Sequence, residues 1–138
     1  MKDDVYKLIS QCKLAVVSTI NRSGKPESAL VGIAVTPELE IIFDTVTSSR
    51  KYDNIIHHPN ISMVVGWDNE TTVQYEGIAE VLDNDASADN YREIYFETWP
   101  DGRGRFETWP GLVYIKVTPK WVRYSNFNVP AIIEELIF

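Results

Sequence analysis

Phe43-Asp44-Thr45-Val46-Thr47-Ser48-Ser49-Arg50-Lys51, continued by Tyr52-Asp53-Asn54-Ile55-Ile56-His57-His58-Pro59, joins two different periodicities. Ile41 to Thr45 is a short run rich in β-branched and aromatic residues, the signature of a strand. From Ser49 to His58 the apolar residues are Tyr52, Ile55 and Ile56, three and four apart, which predicts a helix of about three turns. Ser48 or Ser49 stands at its N-cap and Pro59 just past its end. The junction is rich in hydroxyls and closes on two cations. A phosphate monoester brings about 1.5 to 2 negative charges and three acceptor oxygens. It is best met by hydroxyls, free N–H groups at a helix start, a guanidinium fork and an ammonium. All four occur between Thr45 and Lys51.

Upstream of this junction, Val5, Leu8, Ile9 and Cys12 recur at helical spacing behind Asp3 and Asp4, predicting an N-terminal helix. Leu14 to Ile20 and Glu27 to Val35 are strands joined by a turn through Asn21-Arg22-Ser23-Gly24-Lys25-Pro26. With Thr36 to Glu40 as a second turn, Ile41 to Thr45 completes a three-strand meander. Downstream, Ile61 to Trp67 is a fourth strand. Thr71 to Leu82 holds two alternating stretches joined at Gly77, where a glycine within a strand predicts a bulge or sharp bend. Tyr91, Ile94, Tyr95 and Trp99 are helical in spacing. Leu112 to Val117 and Trp121 to Phe127 are two last strands divided by Thr118-Pro119-Lys120, and Val129 to Phe138 is an apolar tail that a partner chain would cover. The pentapeptide Phe96-Glu97-Thr98-Trp99-Pro100 recurs as Phe106-Glu107-Thr108-Trp109-Pro110. Either both tryptophans plug apolar gaps or they form an aromatic lid over a ligand.

At 138 residues the chain fits a single domain spanning 1–138. Six or seven short strands and two or three helices, with no Gly-x-Gly-x-x-Gly after a strand, point away from a doubly wound sheet. They predict a mainly β fold, an antiparallel barrel, since closure removes exposed edges. A net charge of −7 opposes binding to nucleic acid backbones or anionic lipid, so an anionic ligand needs a local cluster of cations. The beginning of the chain carries neither a charged-then-apolar signal nor an apolar run of about 20 residues, which points to the cytoplasm. The lone Cys12 is expected to pack as a small core residue, and adjacent His57 and His58, about 100° apart on a helix, cannot ligate one metal from one face. No metal site is expected.

The order Phe-x-Thr at a strand end, Ser-Arg-Lys, a short helix, His58-Pro59-Asn60 and an apolar strand ending in Trp67 resembles the pyridoxamine 5′-phosphate oxidase-like family of split barrels that bind flavin mononucleotide (FMN). The likeness covers roughly Lys7 to Leu82 and, more loosely, the strands to Phe127. It implies an FMN phosphate held by Ser49, Arg50 and Lys51, with Asp44 and Thr45 against the ring and ribityl chain. It implies that Ala29, Leu30 and Val31, at the start of a segment reaching Ala34, run along the isoalloxazine. Thr72 takes the place where the family often has a flavin-contacting Gln. It implies a homodimer with flavin sites between the subunits, a small-molecule substrate, and hydride or electron exchange with a reduced nicotinamide as one option.

The departures are specific. Ala29 stands where pyridoxamine phosphate oxidases have Arg, Ala34 near a position of Lys, and Ser125 near a flavin-contacting Trp. The chain ends Glu134-Glu135-Leu136-Ile137-Phe138 without their Arg-x-His or terminal Arg-Leu-x-Pro. The function that the resemblance implies is therefore that of an FMN-dependent oxidoreductase for a substrate other than pyridoxamine phosphate, and the chain looks more like the short general-stress or flavin-nucleotide-binding branch. The alternative from another class is a non-catalytic flavin-binding or stress-response protein. A barrel stacking single-stranded nucleic acid on its four Trp and seven Tyr is opposed by the acidic charge.

Overall fold

The computed structural model describes all 138 residues. Helix α1 (Lys2–Cys12) buries Val5 and Ile9 and ends at Lys13, whose left-handed φ of 59° turns the chain into β1 (Leu14–Ile20). Strand β2 (Pro26–Gly32) returns along β1 in the register Leu14↔Gly32 through Ile20↔Pro26. A two-residue strand, β3 (Ala34–Val35), pairs with β4 (Ile41–Val46) across the turn that carries Leu39 at φ 67°. Helix α2 (Arg50–His57) leads into β5 (Asn60–Val65), and β6 (Thr71–Val81) follows. Helices α3 (Ala86–Thr98) and α4 (Gly102–Thr108) precede the 15-residue β7 (Leu112–Asn126) and a final β8 (Ile132–Ile137).

All eight strands form one antiparallel sheet in the order β2-β1-β5-β6-β7-β4-β3, with β8 paired to β7 off that path. β2 and β3 therefore lie at opposite ends of the path, yet only Ile33 separates them. The expected single strand Glu27 to Val35 is corrected to two strands. The Ile33 amide donates to the Lys13 carbonyl (2.9 Å), and the chain crosses there from one edge of the sheet to the other, curling it into a barrel. The predicted meander is corrected for the same reason: β1–β2 and β3–β4 are hairpins at separate edges.

Two further strands differ from expectation. Leu112–Asn126 is one strand, not two, because β7 changes partners along its length: its first half pairs with β4 and its second with β8, while β6 runs along the other side. Pro119, which has no N–H to donate, falls in the gap between those partners, opposite Gly77. The register slips there between Glu76 and Gly77, as the glycine predicts. The apolar tail forms β8, so there are eight strands and four helices.

The core is built in two parts. Alternate residues of the strands, among them Val17, Phe43, Val73, Ile115 and Val122, fill the barrel with Tyr75, whose hydroxyl donates to the Leu39 and Val117 carbonyls at 2.7 and 3.1 Å. On the outside of β4 and β7, Ile42 and Tyr114 pack under α3 through Tyr95 and Phe96. Tyr114 meets Tyr95, Phe96 and Phe106 edge-on at 5.1 to 5.7 Å between ring centres, a favoured aromatic geometry. No helix is long and apolar enough to cross a membrane.

Candidate functional site

The turn from β4 into α2 is where the fold presents unpaired backbone donors together with cations. Ser49 has extended backbone angles and caps α2, its Oγ accepting from the Tyr52 amide at 3.1 Å. The same hydroxyl lies 2.7 Å from Thr45 Oγ1. Thr45 is buried in the barrel end, so this contact fixes the cap against the strand before it. Helix polarity and the free N–H groups of the first turn make this end of α2 attractive to an anion.

Arg50 and Lys51, the first residues of the helix, lie over a cleft of about 120 Å³ whose other walls are Val17, Thr19, Glu27, Ser28 and Ala29. The Arg50 side chain is 76% exposed and touches the fold through one ion pair, from Nη1 to Glu27 Oε2 at 3.2 Å. Glu27 by contrast is tied down. Its Oε1 accepts from Asn54 (2.8 Å) and its Oε2 from Asn21 (3.2 Å), while Asn54, 3% exposed, also donates to Thr19 Oγ1 at 2.9 Å. These hydrogen bonds, Asn54 first, hold the Glu27 carboxyl below the usual carboxylate range and keep it ionised.

Asp44 faces the outer side of β4, two residues from Ile42, and meets α4. Its carboxylate is 3.7 Å from Arg105 Nη2 and only 22% exposed. Burial raises its pKa, with Arg105 and then Lys51 pulling the other way. The buried Tyr95 phenol nearby is pushed up to about 12, mainly by burial and then by the Asp44 charge. Arg105 also lies over the Trp109 ring, 6.0 Å from its centre. The two copies of the repeated pentapeptide thus have different duties: Trp99 donates to the Ile33 carbonyl at 3.0 Å, whereas Trp109 is 54% exposed beside Arg105.

Of the residues expected to share a site, the fold joins Thr45 to Ser49, and Arg50 and Lys51 to Ala29. Val31 points into the core and Leu30 outward, 61% exposed. Asp44 lies one residue before Thr45 but on the opposite face of β4. Thr72 is apart: the registers Ala29↔Val17, Val17↔Met63 and Met63↔Tyr75 place it three strands from Ala29, about 14 Å across the sheet, and three residues farther along. Glu27, Asn54 and Arg105 were not among the expected residues. Glu27 had a signal, since it shares the inward parity of Ala29 and Val31 on β2; so did Asn54, one helical turn after Arg50. A larger depression of about 360 Å³ lies on the outer sheet face, where Lys120 is its one cation and Glu76 offsets it. That leaves no excess positive charge for an anion, and the end of α2 is the better candidate.

Comparison with known proteins agrees with this fold. The family model described as pyridoxamine 5′-phosphate oxidase matches residues 1–126. General stress protein 26 of Bacillus subtilis (strain 168) is 25% identical over 130 residues, covering 91% of this chain and 89% of the relative. Among solved structures, the heme binding protein from Mycobacterium smegmatis superposes with a TM-score of 0.82 at 12% identity, over 99% of this chain, which spans 58% of that protein's length. The pyridoxamine 5′-phosphate oxidase-related, FMN binding protein from Nostoc punctiforme superposes at 0.65 with 14% identity, over 99% of this chain and 92% of its own.

Proposed function

Since the chain belongs to the pyridoxamine 5′-phosphate oxidase family, we propose that it binds FMN with the phosphate at the start of α2 and acts as an FMN-dependent oxidoreductase on a substrate other than pyridoxamine phosphate. The observation that carries the reading is the Thr45–Ser49 contact at 2.7 Å beside an Arg50 side chain that is 76% exposed. The turn from Thr45 to Lys51 carries hydroxyls, first-turn N–H groups, a guanidinium and an ammonium, the donor set that a phosphate monoester requires. The cleft is walled by Glu27, Ser28 and Ala29 of β2, the strand along which the ring system would lie.

The flavin, when bound, supplies the hydride or electron transfer. The chain's own residues bind and orient: Ser49, Arg50 and Lys51 hold the ester, Thr45 sets the cap, and Ala29, Leu30 and Val31 form the edge beside the ring. Leu30, Val64 and Ile78 are exposed apolar side chains on the outside of the sheet. In this reading a second copy covers them in a homodimer and brings its Thr72 toward the flavin.

The test is the colour and affinity of purified protein. FMN should bind with a flavin spectrum and riboflavin, lacking the phosphate, much more weakly; Arg50→Ala with Lys51→Ala should lose FMN while circular dichroism stays unchanged. A double variant that still purifies yellow overturns the phosphate assignment. A Soret band in place of the flavin bands would move this chain toward heme, as in the Mycobacterium smegmatis protein. Bleaching of bound flavin by NADH or NADPH separates an oxidoreductase from a protein that only stores the nucleotide.

A further inference from the structure

We propose that Glu27 is a positioning residue for the anion site, holding the Arg50 guanidinium over the cleft so that its remaining donors are aimed at the ester before it arrives. The inference rests on the reading of this cleft as the FMN phosphate site.

The two members of the pair are unequal. Arg50 has a long side chain, 76% exposed, and on its own would sample many rotamers. Glu27 is 19% exposed and both of its oxygens accept from amides, Asn54 on one and Asn21 on the other. Asn54 is in turn buried and spends its second N–H on Thr19. The carboxylate is therefore fixed to the body of the protein, and the single contact from Arg50 Nη1 transfers that fixity to the guanidinium. A guanidinium has five N–H donors in a rigid fork, and the ion pair with Glu27 at 3.2 Å occupies only the Nη1 end, leaving the rest of the fork for phosphate oxygens. The geometry resembles a hinge pinned at one end: Asn54 lies one helical turn after Arg50 on α2, so the pin and the arm are carried by the same helix.

Glu27 also has an opposing effect, because its negative charge repels a dianion in the same cleft. Two features limit that repulsion. Arg50 pairs with the carboxylate at 3.2 Å and offsets its charge, and Lys51 adds a second positive charge on the cleft wall. If ordering dominates, removing the charge of Glu27 weakens FMN; if repulsion dominates, it tightens FMN. The sign of one substitution decides between them.

The experiment is a double-mutant cycle in FMN and riboflavin affinity, read by flavin fluorescence quenching. Glu27→Gln keeps the acceptor for Asn54 and turns an amide toward Arg50 and Asn21, releasing both. The expected result is a loss of FMN affinity of roughly five- to tenfold, no change for riboflavin, and no further loss from Glu27→Gln once Arg50→Ala is present. Unchanged or tighter FMN binding, an equal loss for riboflavin, or a loss that persists in the Arg50→Ala background each overturns the role. Arg50→Lys provides a second measure at an exposed position that leaves the core untouched. It keeps the charge but not the fork, and should bind FMN nearly as poorly as Arg50→Ala; wild-type affinity for FMN in this variant would refute the proposal. Failure of the underlying phosphate reading has a distinct signature, an Arg50→Ala variant that binds FMN as well as wild type.

Discussion

The indole of Trp99 lies directly on Gly32: a Cβ at position 32 would stand 2.9 Å from Cζ2 of that ring, while the indole N–H donates to the next residue's carbonyl, Ile33 O, at 3.0 Å. The contact closes the corner where the chain passes from β2 to β3 and so pins α3 to the seam of the barrel. Gly32→Ala should cost about 1–3 kcal/mol through overpacking. Trp99→Ala removes the obstacle as well as the hydrogen bond, so in its background Gly32→Ala should cost only a few tenths of a kcal/mol. Urea unfolding of the four proteins in this cycle measures the coupling. Additive costs would mean that the indole does not bear on Gly32.

Asp44 yields a pH dependence of defined sign. Its folded pKa is raised above the ordinary 3.8, chiefly by burial, despite Arg105 and Lys51. Between those two values the native state binds the proton more tightly than the unfolded chain, so this group's contribution to stability falls as pH rises through the window and is constant above it. Asp44→Asn abolishes that segment. The difference in unfolding free energy, wild type minus Asp44→Asn, should therefore decline as pH rises from 3.8 and then level off. Denaturant melts at half-unit pH steps check it, and a difference that climbs with pH would show Arg105 to outweigh burial.

How much of this was legible in the sequence depended on whether a signal was local. The strand Leu14–Ile20, the helix after Ser49 and the cap itself are set by neighbouring residues, and all three stood where the sequence placed them. The break at Ile33 is not local: nothing in Gly32-Ile33-Ala34 announces that Lys13, twenty residues earlier, will take the Ile33 amide. Thr118-Pro119-Lys120 divides β7 in the sequence because proline interrupts a ladder, and the core residues Val117 and Val122 lie an odd five residues apart. Lys120, the extra residue at the bulge, absorbs the difference.

The helix α4 was hidden by Pro100, Gly102, Gly104 and Pro110, all of which punctuate chains. It exists because packing overrides propensity. Gly102 is buried where any side chain would meet Phe96 Cδ1 at 3.1 Å and Tyr95 Cε2 at 3.2 Å, so the glycine lets α4 lie against α3. In the site, the hydroxyls and cations were legible as a run, whereas Glu27 and Arg105 come from elsewhere in the sequence and are joined to that run only by the closed barrel. Fold-level likeness does not choose the ligand, since the similar structures include one named for heme and one for FMN.

Glycine substitutions at two sites test the bulge against the helix. Gly77 faces the irregular step of β7, where a Cβ would lie 2.5 Å from the Thr118 carbonyl oxygen and 2.8 Å from Val117 Cγ1. Backbone cannot step aside there without breaking the pairing of β6 with β7, the longest ladder in the sheet. Gly77→Ala should cost more than about 3 kcal/mol, in the range reserved for strained or overpacked core positions. Gly104, on α4, has open space around its Cβ position and a φ on the ordinary side. Gly104→Ala should then stabilise by about 0.5–1 kcal/mol through helix propensity and a less flexible unfolded chain. Thermal melts of the two variants should move in opposite directions. A Gly77→Ala protein as stable as wild type would mean that the sheet does not require its close approach at Thr118, and that the sharp bend there has another cause.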